Sequence, residues 1–151
     1  MDNQKFTLLN VTILILLFML QLPASGQAKW IVFGKGGGIS GEITGYRLYR
    51  NGNVYKGSGN SDLNFESISR IKRSAARKII REVGSFQQVP FTHPGNIYYF
   101  IALSGKDSLV KYTWGHADFT VPDPLGTVYR SSLKTFSDLQ YKPIKKSDII
   151  K

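Results

Sequence analysis

The glycine-rich segment GKGGGISG, residues 34–41, constrains the fold of this chain more than any other stretch. It contains Gly36-x-Gly38-x-x-Gly41, a spacing that in dinucleotide-binding enzymes leads from a strand into a helix whose N-terminus faces the pyrophosphate. The residues that follow, Glu42–Arg50, instead alternate in polarity with the period of two that is typical of a half-exposed strand. The segment therefore predicts a connection between two strands, and a nucleotide site is excluded.

Two roles are open for this connection. Glycine permits positive φ, so the segment can be a flexible turn with no further role. Glycine also lets another backbone approach closely, so the segment can be a partner-binding loop. In either case we expect the loop to have at least one residue at φ > 0 and to lie exposed at an edge of the sheet. The candidate partner-binding residues are Gly36, Gly37, Gly38, Ile39, Ser40 and Gly41.

The rest of the chain predicts an α+β fold, with one antiparallel sheet of about five strands and two helices packed on one face. Asn51-Gly52 predicts a type I′ hairpin turn, because both central residues of that turn need φ > 0. Hydrophobic periodicity predicts helices over Ser67–Val83 and Pro122–Asp138. The predicted apolar face of the first helix consists of Ile68, Ile71, Ala75, Ile79 and Val83. The predicted strands are Lys29–Lys35, Glu42–Arg50, Asn53–Lys56, Asn96–Leu103 and Ser108–Trp114.

The N-terminal residues, 1–26, have the basic start, apolar centre and small-residue end of a secretory signal peptide. A retained membrane anchor is the alternative, but the apolar run Leu8–Leu22 has 15 residues, fewer than the about 20 that span a bilayer. We expect a periplasmic or secreted protein, with a single domain over residues 27–140 and a basic, flexible tail over residues 141–151. The chain has no cysteine, which excludes lipidation and disulfides.

The formal net charge of +10 favours an anionic partner. Nucleic acid is not expected outside the cell, so acidic glycans, anionic lipids or an acidic protein surface remain. Four arginines recur along the first predicted helix with the spacing i, i+3, i+7 and i+11. They form either a solvated helix face or an anion-binding ridge, and they are Arg70, Arg73, Arg77 and Arg81.

No catalytic residue emerges from the sequence. The two histidines, His93 and His116, lie in separate predicted loops, and neither has an acidic residue at a typical metal-ligand spacing. No serine lies in a nucleophile-elbow motif, and paired carboxylates for acid–base chemistry are scarce. We therefore predict a non-enzyme without metal or cofactor.

The order of these elements resembles the emfourin-like family of small bacterial proteins over about residues 31–136. The resemblance is carried by Gly37-Gly38-Ile39-Ser40-Gly41, by the helix that leads to Phe86, by Tyr98-Tyr99 and by Pro124-Leu125 at the start of the last helix. Ile39 stands where that family prefers phenylalanine. The resemblance implies an inhibitor of thermolysin-like metallopeptidases that acts through the Gly36–Gly41 loop. The alternative is an envelope protein that holds anionic glycan or lipid through its basic helix and tail.

Overall fold

The computed structural model of the protein describes residues 28–86, 89–105 and 108–145. The predicted signal segment and the end of the chain beyond residue 145 lie outside these ranges. The described elements, in chain order, are β1 (Trp30–Gly37), β2 (Ile43–Tyr49), β3 (Asn53–Gly59), β4 (Asn64–Arg70), α1 (Arg73–Gly84), β5 (Ile97–Ser104), β6 (Leu109–Trp114), α2 (Asp123–Ser137) and β7 (Lys142–Pro143).

The strands form one antiparallel sheet with the order β6-β5-β1-β2-β3-β4-β7. β1 is an interior strand, in which Phe33 lies opposite Ile101 of β5 on one side and Tyr46 of β2 on the other. The predicted α+β class with a single antiparallel sheet and two helices is confirmed. The sheet has seven strands where about five were expected.

Both helices contribute to one hydrophobic core on the same face of the sheet. The buried positions of α1 recur at i, i+4 and i+7, which is the spacing of a helix that buries one side. The buried core side chains are Ile31, Phe33, Leu48, Val54, Ile101, Leu103, Tyr112 and Trp114 from the sheet, Ala76, Ile80 and Val83 from α1, and Leu125, Tyr129 and Phe136 from α2.

The predicted helix over Ser67–Val83 is wrong in its first part, because residues 64–70 form strand β4. In this strand Ile68 lies opposite Tyr55 of β3. Just beyond it, the backbone N–H of Ile71 donates to the carbonyl of Gly52, at 2.9 Å. These pairings with distant residues use the backbone groups that a longer helix would have needed. Apolar residues at helical spacing give no sign of such pairing, so the pattern was misleading.

The buried face of α1 is also shifted by one residue from the predicted face. Ala76 and Ile80 are buried, whereas Ala75 is exposed and Ile79 is only partly buried. Val83 belongs to both the predicted and the observed face and is buried. The second helix, by contrast, lies within one residue of its predicted bounds at each end.

The turn between β2 and β3 is not the predicted type I′ turn. Gly52 has φ of 96°, but Asn51 does not have positive φ. The N–H of Gly52 donates to the carbonyl of Tyr49 at 3.0 Å, so the connection has three residues, with glycine in the last position. The side-chain Oδ1 of Asn51 accepts the N–H of Asn53 at 3.0 Å. This local hydrogen bond stabilises the longer turn.

Residues 141–145, predicted to begin a flexible tail, add to the sheet. Pro143 and Lys142 lie opposite residues of β4, and the N–H of Ile144 donates to the carbonyl of Glu66 at 3.0 Å. The ring of Tyr141 packs 6.0 Å from that of Tyr46. The packed domain therefore extends past residue 140.

The opposite face of the sheet carries a smaller apolar cluster, in which Val32, Phe100 and Ala102 are buried. The guanidinium of Arg47 lies between two rings there, 4.8 Å from the centroid of Trp30 and 4.1 Å from that of Phe65. Cation–π contact of this kind stabilises a positive charge on an aromatic surface.

Candidate functional site

The glycine-rich segment forms the hairpin between β1 and β2. Gly36 and Gly37 are the last residues of β1, and β2 begins at Ile43. Positive φ occurs at Gly37 (96°), Gly38 (75°) and Gly41 (63°), as expected. β1 and β2 are interior strands, so the hairpin tip lies at the end of the sheet and not beside an edge strand.

Hydrogen bonds anchor the hairpin tip, which we define as residues 37–42. The N–H of Gly38 donates to the carbonyl of Asn96 at 2.7 Å, and the N–H of Gly41 donates to the carbonyl of Gly38 at 3.2 Å. A β-carbon at Gly37 would collide with the same Asn96 carbonyl. Glycine is therefore needed at position 37 for the close approach of the segment before β5 as well as for its backbone conformation.

The hairpin tip presents one large apolar side chain to solvent. Ile39 is fully exposed, at 108% of its reference accessible surface, and is the most exposed of the large apolar residues in the described ranges. Ser40, next to it, is also exposed, and its hydroxyl accepts the N–H of Glu42 at 3.4 Å. The tip thus combines a hydrogen-bonded backbone with an exposed apolar side chain.

The glycines before the tip serve the packing of the sheet. A β-carbon on Gly34 would overlap the ring of Phe100, and one on Gly36 would lie 2.6 Å from the hydroxyl of Tyr98. The two aromatic rings of β5 lie where the missing side chains would be, which is a common reason for glycine within a strand. This explains why the segment has more glycines than its turn requires.

The four predicted anion-binding arginines do not form one helical ridge. Arg70 belongs to β4, and its side chain donates to the carbonyl of Asn51 at 3.5 Å. Arg73, Arg77 and Arg81 lie on α1. Of the four, Arg77 and Arg81 line a cleft that they share with Arg50 from the turn between β2 and β3.

This cleft was missed at the level of sequence. It lies between α1 and the strands β5 and β6, and its wall includes Phe86 and Tyr112, whose rings are in edge contact at 5.4 Å. The hydroxyl of Tyr112 donates to the carbonyl of Phe86 at 3.4 Å, and burial raises the pKa of Tyr112. The cleft joins residues 77–86 to Arg50, Leu103, Val110 and Tyr112, which are too far away in the chain for any local pattern to group them.

The two histidines are exposed and lie close together near the end of β6. The N–H of His116 donates to the carbonyl of His93 at 3.0 Å, and the His93 ring stacks on Phe119 at 4.2 Å. His116 lies 3.7 Å from a carboxylate oxygen of Asp118. In the three described ranges, no group of three or more histidine, aspartate or glutamate side chains is arranged to hold a metal ion.

The chain matches neither a model of a known protein family nor a curated protein. Neither helix in the described part of the chain is long and apolar enough to cross a membrane.

Proposed function

We propose that this is an exported, non-catalytic binding protein that inhibits thermolysin-like metallopeptidases through its β1–β2 hairpin tip. The observation that carries the proposal is the full exposure of Ile39 on a loop whose backbone is held by hydrogen bonds to Asn96 and within the loop itself. Exposed apolar side chains on fixed loops are suitable anchors for a concave protein surface.

The anchored backbone supports this role because binding then orders little of the loop. A partner that meets a preformed loop loses less affinity to the ordering of backbone and side chains. Positive φ at Gly38 and Gly41 turns the chain sharply on either side of Ile39 and Ser40, and open space surrounds both glycines. A partner can therefore approach the tip closely from either flank.

The class of target comes from the resemblance to the emfourin-like family. One of the stretches that carry the resemblance, Gly37–Gly41, forms most of the hairpin tip. The alternative, an anionic glycan or lipid held by a basic helix face and tail, has less support. Arg70 is absent from the helix, and residues 141–145 pack against the sheet.

The test is a titration of the folded protein against a thermolysin-like peptidase with a fluorogenic peptide substrate. We expect inhibition at micromolar concentration or below, with little change between low and high salt, because a packed apolar contact is screened much less than a charge-driven one. No inhibition at micromolar concentration would remove the proposed function. Inhibition that disappears at high salt would instead favour a charge-driven contact.

A further inference from the structure

The cleft between α1 and the strands β5 and β6 has a size suited to a small ligand. Its volume is about 440 Å³, and it is partly open to solvent. Ligand sites in proteins typically have volumes of about 300–1,000 Å³ and are mostly apolar with a few polar groups. This cleft lies in the lower part of that range, and its lining divides into an apolar wall and a basic rim.

The apolar wall is formed by the side chains of Ile80, Val83, Phe86, Leu103 and Val110. Ile80, Val83 and Leu103 are almost fully buried in the core, so they give the cleft a fixed base. Phe86 is held against Tyr112 by the ring contact and the hydrogen bond described above. The wall is therefore preformed and needs no rearrangement to accept an apolar group.

The basic rim consists of Arg50, Arg77 and Arg81. Arg77 and Arg81 are four residues apart on α1, where like charges repel. No carboxylate lines the cleft among the described residues, and the ion pair of this helix joins Lys78 to Glu82. The rim thus holds three positive charges without a negative counterpart in the described part of the chain.

The C-terminal end of α1 lies at the cleft, and its negative partial charge offsets part of this positive charge. The carbonyls of Arg81 and Val83 accept the N–H groups of Ser85 and Phe86 at 2.8 and 3.1 Å, so both are satisfied as hydrogen-bond acceptors. Three full guanidinium charges exceed the about half a unit charge of the helix end, so the rim stays positive. An anion at the rim meets guanidinium donors, which favour carboxylate because two parallel N–H groups match its two oxygens.

We propose that this cleft binds an aliphatic carboxylate such as a medium-chain fatty acid. The hydrocarbon chain lies against Phe86, Val110 and Leu103, and the carboxylate lies at the arginine rim. An apolar ligand without charge leaves the rim repulsion in place, and a small anion without a chain leaves the wall exposed. Both halves of the ligand are needed.

The experiment is calorimetric titration of the folded protein with decanoate, compared with decanol and with acetate. We expect saturable binding of decanoate at one site and binding at least tenfold weaker for decanol and acetate. Absence of saturable decanoate binding, or equal affinity for decanol, would overturn the proposal.

Two variants with the same loss of charge locate the site. Arg77→Gln with Arg81→Gln should weaken decanoate binding at least tenfold, whereas Arg70→Gln with Arg73→Gln, which lie outside the cleft, should change it less than about twofold. Val110→Phe places a larger side chain in the cleft and should also weaken decanoate binding. Equal losses in the two arginine pairs would show attraction to net charge alone and contradict the cleft assignment.

Discussion

The hydroxyl of Tyr129 in α2 donates a 2.8 Å hydrogen bond to the backbone carbonyl of Gly34 in β1, across 95 positions of the chain. The Tyr129 ring is buried and makes edge contacts with Trp114 and Tyr99, at 4.9 and 5.7 Å. Gly34 lies just before the glycines of the hairpin tip. The second helix is thereby fixed to the strand that presents the candidate binding loop.

Removal of this hydrogen bond should destabilise the fold. We expect Tyr129→Phe to lower the free energy of unfolding by about 1 kcal/mol, the typical net value of a buried hydrogen bond. Tyr98→Phe is the control, because the Tyr98 hydroxyl has no hydrogen bond among the described residues, and its effect should stay within about 0.5 kcal/mol. The measurement is urea unfolding, and equal effects in the two variants would show that the Tyr129 hydrogen bond contributes nothing.

The buried tyrosines predict a loss of stability at alkaline pH. Burial, and to a smaller extent the neighbouring Tyr99, raises the pKa of Tyr129 above the ordinary value of 10.0, and burial followed by Tyr46 does the same for the pKa of Tyr141. Above pH 10 the unfolded chain loses these protons while the folded chain keeps them. The proton retained on Tyr129 then lowers the free energy of unfolding by about 1.4 kcal/mol per pH unit, until the pH reaches the folded-state pKa. Tyr141 is closer to solvent, so its contribution has the same sign and is smaller.

The measurement for this effect is a series of urea unfolding curves between pH 8.5 and 11. Stability should be nearly constant up to about pH 9.5 and fall above it, and the fall should be shallower in Tyr129→Phe because one retained proton is gone. An identical slope in the parent and the variant would contradict the assignment of this effect to Tyr129.

Two neighbouring glycines should respond differently to the same substitution. Gly37 and Gly38 both have positive φ, so alanine at either position carries the left-handed penalty of about 1–2 kcal/mol. At Gly37 the new β-carbon would also collide with the carbonyl of Asn96, whereas nothing lies within 4 Å at Gly38. We expect Gly37→Ala to cost clearly more stability than Gly38→Ala. Equal thermal unfolding midpoints would show that the approach of Asn96 is not needed.

Tyr141 should stabilise the domain although it lies in the basic C-terminal segment. Its hydroxyl donates to the carbonyl of Phe136 at 3.0 Å, and its ring packs against that of Tyr46. We expect Tyr141→Ala to lower the free energy of unfolding by about 1–3 kcal/mol, less than for a fully buried aromatic residue. Lys142→Ala, an exposed neighbour, is the control and should have little effect. A fully stable Tyr141→Ala protein would mean that the segment does not pack in solution.

The sequence predicted the elements in which local pattern and tertiary environment agree. The apolar run of β5, the alternation of β2 and the proline-led start of α2 each lie close to their predicted positions. Strand β4 was missed because Ile68 also fits the helical spacing of the residues that follow, and only its pairing with Tyr55 shows that it is a strand. The two residues of β7 are too few to carry any periodicity.

The hairpin tip and the cleft differ in how far local sequence predicts them. The hairpin tip was predicted because its glycines and Ile39 are contiguous in the sequence, and the turn there needs the positive φ that Gly37, Gly38 and Gly41 adopt. The cleft was not predicted because Arg50 and Arg77 come together only when the turn after β2 packs near α1. The roles of Gly34 and Gly36 also depended on the rings of a strand more than 60 residues away in sequence, which no local rule supplies.

The central claim, that the hairpin tip is the contact surface, is tested most directly by the inhibition constant of one double variant. Ile39→Ala with Ser40→Ala removes two exposed side chains and leaves the glycine conformations unchanged. The matched control is Leu109→Ala, which removes an exposed apolar side chain from the edge strand β6. We expect the inhibition constant for a thermolysin-like peptidase to rise about tenfold or more in the double variant, which corresponds to about 1.4 kcal/mol, and to change less than about twofold in the control. An unchanged inhibition constant in the double variant would contradict the claim and place the contact elsewhere on the protein.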